Sequence, residues 1–246
     1  MSIAEKLTTV AENIPKVYAA GYEAGKGDYI DKYDDGFSDG QQAEYDRFWD
    51  EYQRTNSYVC AFAGYGWNAD TLIPKKYIKP GNALYMFYYN QMGGDLVEYF
   101  EKLGIELDFS ANGNGNSIFQ YSKFTRVGKI YANTDGWYST FANCTNLVTI
   151  DEFGSYSGGE LNGGLTSAFN SCTALENVKV KGIIAGNANF QWCTKLTHDS
   201  LMSIINALKD LSGSSTTKTL TLGTANLAKL TDAEKAIATE KGWTLA

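Results

Sequence analysis

Histidine is almost missing from this chain of 246 residues: there is one, His198, and only three prolines. A single histidine removes the commonest general base, and the four cysteines form no CxxC pair of the kind a zinc site needs. No stretch reaches the roughly 20 apolar residues that cross a bilayer. The opening MSIAEKLTTVAENIPKVYAAGYEAGK also lacks the basic start and unbroken apolar core of a Sec-type leader. Membrane insertion and export by that route are therefore not expected. Basic residues are in the minority, 21 Lys and Arg against 28 Asp and Glu, for a formal charge of −7. Such a surface repels a phosphate backbone, so nucleic acid is not an expected partner.

Other chemical constellations are equally thin. The acidic stretch holding Asp31, Asp34, Asp35 and Asp39 departs from the alternate-position order of a helix-loop-helix calcium site and reads as a solvated linker. Glycine-rich NGNGN (112–116) and GGELNGG carry no lysine between a strand and a helix, as a phosphate cradle requires, and read as turns. His198 reads as a polar residue at a helix entry. The expectation is a protein that is not an enzyme and holds no cofactor and no metal.

What the chain has in abundance is repetition. The phrase FxxCxxLxxI occurs as Phe141, Cys144, Leu147 and Ile150, and again as Phe169, Cys172, Leu175 and Val178. It trails off as Phe190, Cys193 and Leu196. A weaker copy has Phe119, Ser122, Phe124 and Val127, and an echo begins at Phe87. Starts lie 22, 28 and 21 residues apart from Phe119 through Phe190, a spacing typical of one coil per repeat. Each coil can bury its inner face only against its neighbours, so Phe119, Ser122, Phe141, Cys144, Leu147, Phe169, Cys172, Leu175, Phe190, Cys193 and Leu196 are read as a structural ladder. Their placement points to buried thiols instead of disulfides.

These phrases resemble the BspA-like leucine-rich repeats of bacterial surface and mobile-element proteins, over roughly residues 84 to 196. The resemblance implies an α+β fold, a short irregular solenoid with strands on one face. Departures are the small number of repeats, their uneven spacing, and a helix expected over DLVEYFEKLG, 95–104. The stretch THDSLMSIINALKDLSG predicts an amphipathic helix with Leu201, Ile204, Ile205 and Leu208 on one stripe and Gly213 past its end. A strand over KTLTLG, a helix opened by Thr231 and Glu234, and a final WTLA complete an expected C-terminal cap over 197–246.

Ahead of the repeat region, 56–196, the first 55 residues read as a helical stalk. Ile3, Leu7, Val10, Ile14 and Val17 keep a coiled-coil seam spacing that predicts a homo-oligomer, with Pro15 interrupting it. GYEAG and GFSDG read either as close-approach glycines or as a flexible linker, and Tyr45, Phe48, Trp49 and Tyr52 line one helical face. The order of stalk and head, with the AEKLT…AGYEAG start and DAEKAIATEKGWTL ending, is similar to phage tail and appendage proteins of gut bacteria. That implies a virion location, with a bacterial cell surface as the alternative, and contact with other virion proteins through the N-terminal segment. Binding is expected on the strand-bearing face, where Asn177, Lys179 and Lys181 alternate with Val178 and Val180, joined by Arg126, Lys129 and Tyr131. Aromatic and basic groups there suit a protein or glycan surface receptor.

Overall fold

The computed structural model describes residues 77–132 and 136–246. The seam Ile3, Leu7, Val10, Ile14 and Val17, the acidic stretch and the aromatic stripe at 45–52 lie outside the described residues.

The elements run β1 (Tyr77–Ile78), β2 (Gly94–Asp95), α1 (Leu96–Lys102), β3 (Glu106–Leu107), a 3-10 turn (Phe109–Ala111), β4 (Phe124–Tyr131) and β5 (Thr149–Gly154). They continue as β6 (Glu160–Leu161), α2 (Leu165–Ala168), β7 (Asn177–Lys181), β8 (Ile183–Ile184), β9 (Ala188–Asn189) and α3 (His198–Asn206). The chain closes with β10 (Lys218–Thr221), α4 (Gly223–Leu227), α5 (Asp232–Glu240) and β11 (Trp243–Leu245). The fold is mixed α/β with few helices, and every strand pair among the described residues is parallel. The largest sheet has the order β2-β4-β5-β7, and a smaller one the order β11-β10-β9. Parallel neighbours need a long return path, which the stretches between β4, β5 and β7 supply.

That return path is where the repeated phenylalanines meet. Phe87, Phe119, Phe141, Phe169 and Phe190 are fully buried and stack ring on ring, with centroids 5.2, 5.6, 5.4 and 4.6 Å apart in succession. Three of their amides reach forward to the next copy, Phe87 N–H donating to Ile118 O, Phe119 to Thr140 O and Phe141 to Ala168 O, and Phe190 N–H donates to Thr221 O of the strand that follows, all at 2.7–2.9 Å, while Phe169 N–H turns to Ser167 O. Leu147, Leu175 and Leu196 are buried beside them.

The backbone on either side of these rings is left-handed. Tyr85 and Tyr89 flank Phe87, Ser117 and Tyr121 flank Phe119, Ser139 and Asn143 flank Phe141, and Ser171 follows Phe169, all with φ between 53° and 64°. A side chain in that region costs about 1–2 kcal/mol, so the bonding between copies outweighs a local penalty repeated copy after copy.

The cysteines do more than fill a corner. Cys144 Sγ–H donates to Phe119 O at 2.8 Å and Cys172 Sγ–H to Phe141 O at 2.9 Å, with Cys193 aimed at Phe169 O from 3.8 Å. All three are buried free thiols. Burial pushes Cys144 up to about 12. A hydrogen bond with Cys193, then burial, holds Cys172 well above its ordinary value. Cys144 and Cys172 are therefore neutral donors at physiological pH and poor nucleophiles. Ser122, in the weaker copy, lies 3.5 Å from Cys144 Sγ with its own hydroxyl.

Helix α3 stops at Asn206, seven residues short of Gly213, because Leu208 leaves the helix to bridge Ile184 and extend the small sheet at β8. Its serines close the edge of β7. Val178 N–H donates to Ser200 Oγ at 2.9 Å and Val180 N–H to Ser203 Oγ at 3.0 Å, while Ser200 Oγ–H donates to Glu176 O. An edge strand offers unpaired amides to any passing strand, and two hydroxyls one helical turn apart cover these. Ser200→Ala is expected to cost about 1–3 kcal/mol in a urea melt, since it strands a buried amide, whereas Ser203→Ala, at a partly exposed amide, costs less.

The C-terminal elements fasten to the last copy through polar side chains. Asn226 Nδ2 donates to Cys193 O, and Lys229 Nζ donates to Thr194 O and Leu196 O. Helix α5 opens with the expected box of Thr231 and Glu234, and Glu234 also reaches His198 at 2.7 Å. His198 is thus the first residue of α3 and a strut to α5. The GGELNGG stretch, expected as turns only, contains β6, paired with β8, because Leu161 is buried beneath it.

Candidate binding face

Register decides which residues share a side of the β2-β4-β5-β7 sheet. Arg126 lies beside Thr149 and Thr149 beside Asn177, Lys129 beside Glu152, and Tyr131 beside Gly154 with Gly154 beside Lys181. Between Ile150 and Phe153 strand β5 carries one residue more than β7 does between Val178 and Val180. This bulge keeps Ile150, Phe153 and Val178 buried while Glu152 stays level with Lys179, 3.6 Å away. The six residues singled out from the sequence therefore fall in three rows across the sheet, with β5 supplying the middle of each.

Within those rows, the side chains are more tied down than a simple outward alternation implies. Arg126 is held on both sides: Nε and Nη2 donate to the two oxygens of Asp151 at 2.8 Å, and Nη1 donates to Asp95 at 3.0 Å. Asp95 in turn caps α1 by accepting from Val97 and Glu98 N–H. Hydrogen bonds to Asp151 and Asp95 hold the guanidinium above its ordinary value, so it is charged at every accessible pH. Tyr131, expected to project outward, is instead 6% exposed. Its hydroxyl donates to Glu152 at 2.7 Å, and burial, then that bond, raises its phenol above the ordinary range. Asn177 and Lys179 are exposed, as is Lys129.

Lys181 takes a different course. Gly154, with φ +143°, has no side chain to stand between β4 and β7; a Cβ there would fall 1.9 Å from Lys181 O. The Lys181 ammonium lies 5.0 Å from the Tyr131 ring centroid and 4.7 Å from that of Tyr156. Sequence reasoning missed Asp95, Asp151, Glu152 and Tyr156. The first three sit on the neighbouring strands β2 and β5, and only register shows that they pair with the chosen residues. Tyr156 comes from the glycine-rich segment, where nothing periodic flags it.

The Asp95 cap gives a pH dependence with a definite sign. Burial opposes ionisation, but the amides of Glu98 and Val97 and the Arg126 guanidinium outweigh it, so the folded carboxyl sits below its ordinary 3.8. The unfolded chain then binds the proton more readily, and stability present above that value is lost as pH falls through and below it. Equilibrium melts are expected to show stability declining below about pH 4, with Asp95→Asn flattening part of that decline.

No family model, curated protein or solved structure matches the chain in the comparisons made. The chain is a mixed α/β protein with parallel sheets.

Proposed function

We propose that this chain is a non-catalytic binding module: a short BspA-like leucine-rich-repeat solenoid whose strand-bearing face docks on a protein or glycan receptor. The observation that carries the reading is the five-ring phenylalanine stack, in which each copy of one sequence phrase is bonded to the next. Stacked copies of one unit create a broad regular face, and such faces serve recognition more readily than chemistry. The inertness of the buried thiols and the commitment of Arg126, Asp95 and Asp151 to one another support a role without catalysis.

We further propose a virion appendage of a bacteriophage, oligomerised and attached to other virion proteins through the N-terminal segment. Mass spectrometry of purified virions tests the location, and recovery from the bacterial envelope instead would favour an adhesin. Light scattering tests the assembly: the full chain is expected to be an oligomer at micromolar concentration and to become a monomer when residues 1–55 are removed. Binding of labelled chain to host cells tests the face. Lys129→Gln with Lys179→Gln should weaken attachment at least about tenfold with little change in melting temperature, since the exposed Lys179–Glu152 pair contributes little. Attachment unaffected by this pair would remove the strand face from the proposal.

A further inference from the structure

We infer that the carboxyl ends of β4, β5 and β7 form a subsite for an acidic sugar, with the Tyr156 ring stacking on a pyranose and Lys181 and Lys129 pairing with its carboxylate. The inference rests on the binding-module reading above and names the ligand chemistry of one part of that face.

Three observations support it. The first is an aromatic ring set out in solvent: Tyr156 is 56% exposed, on a loop braced at both ends. Ser155 N–H donates to Lys181 O at 2.9 Å, and Ser155 Oγ accepts from Gly159 N–H at 3.1 Å, so the ring is presented in one place. A rigidly carried ring gives contact area at little entropic cost. The second is the company of that ring. Tyr131 lies 5.4 Å from it, centroid to centroid and inclined by 65°, and the Lys181 ammonium rests against both rings.

The third is local charge. In a chain with an excess of acid, the carboxylates near this end among the described residues are engaged. Asp108 pairs with Lys79 at 3.1 Å, Asp151 with Arg126, and Glu152 with both Tyr131 and Lys179. Lys181, the last residue of β7, and Lys129, one row back on β4, form no ion pair with a carboxylate among the described residues, which leaves two ammonium groups toward this end of the sheet to receive one. An ammonium resting on π-faces gives up little when an anion approaches it, because cation–π contact at an exposed site is weak. The residues beside Tyr156 along the chain, Ser155, Ser157 and Gly158, are small and polar, and they suit the alternating hydroxyls of a sugar better than the apolar anchor of a peptide.

The test is isothermal titration of the full chain with oligogalacturonate and with a sialylated oligosaccharide, each beside its carboxyl-reduced counterpart. Binding of at least one acid form is expected, weakened about tenfold or more by Lys181→Gln and by Tyr156→Ala and falling with added salt, with no binding of the reduced forms. Unchanged melting temperatures in both variants would show that the loss is local. The inference is overturned if neither acid form binds, if the reduced forms bind as well, or if the two substitutions leave affinity unchanged. Equal binding of oligoglutamate would overturn it in favour of an acidic peptide. If attachment to cells depends on Lys179 but not on Tyr156, the acidic-sugar subsite falls while the binding-module reading stands. If the chain attaches to no cells and binds no acid sugar, both fall.

Discussion

Phe169→Ala is expected to destabilise the described region by about 3–5 kcal/mol, the range for removing a large aromatic from a core that cannot collapse onto the gap. Phe169 is fully buried, stacks between Phe141 and Phe190, and meets Phe153 of β5 edge-on at 5.1 Å. Its ring therefore joins the file of phenylalanines to the strand layer. The surrounding atoms are held by hydrogen bonds running both forward and back between copies, which limits relaxation. A urea denaturation series should show the midpoint falling sharply with the slope little changed. A loss below about 1 kcal/mol would mean that the ring file contributes little. Phe169→Leu, which keeps most of the volume, is expected to recover a good part of the loss.

Gly154→Ala should be nearly as damaging. A methyl group at Gly154 would sit 1.9 Å from Lys181 O and 2.8 Å from its carbonyl carbon, both backbone atoms of the adjoining strand. Neither can swing aside as the tip of a side chain would, and the φ of +143° is itself a conformation that glycine alone adopts freely. The expected cost is about 3 kcal/mol or more, through local separation of β5 from β7. The Lys181 ammonium should move off the Tyr131 ring at the same time. A melting temperature within a degree of the parent's would show that β7 can shift sideways without loss.

Much of the fold was legible because its strongest signal is periodic. The spacing of Phe119, Phe141, Phe169 and Phe190 marks them as one repeated position, and their rings stack; Thr231 with Glu234 marks the start of α5 through chemistry local to four residues. Phe87 appeared only as an echo, yet it stacks on Phe119 with the rings 3° from parallel. What stayed hidden depends on contacts across the chain. No periodic pattern marks Ser200 and Ser203 as acceptors for β7 amides, since serine inside a helix is ordinarily neutral or unfavourable. The end of α3 was placed too late because the apolar stripe continues through Leu208 into a bridge with β8. The left-handed backbone at Tyr85, Tyr89 and Tyr121 contradicts the usual preference of tyrosine, so no sequence rule would assign it.

For the binding face, a period of two along β7 sets Asn177, Lys179 and Lys181 on one side of the strand, which is as far as alternation can reach. It could not show that Arg126 is spent on Asp95 and Asp151, or that Tyr131 turns its hydroxyl inward to Glu152. Both depend on the register between strands two dozen residues apart.

The thiol-to-carbonyl bonds point one way along the molecule, each cysteine reaching back to the phenylalanine of the preceding copy, while the amides of Phe87, Phe119 and Phe141 reach forward. Excision or duplication between equivalent points keeps most of these donors facing an acceptor, whereas a cut of any other length breaks the sequence of partners. Gene lineages related to this one should accordingly vary in length by whole units, in steps of two to three dozen codons, with the Asn226 and Lys229 closure carried along unchanged at the end.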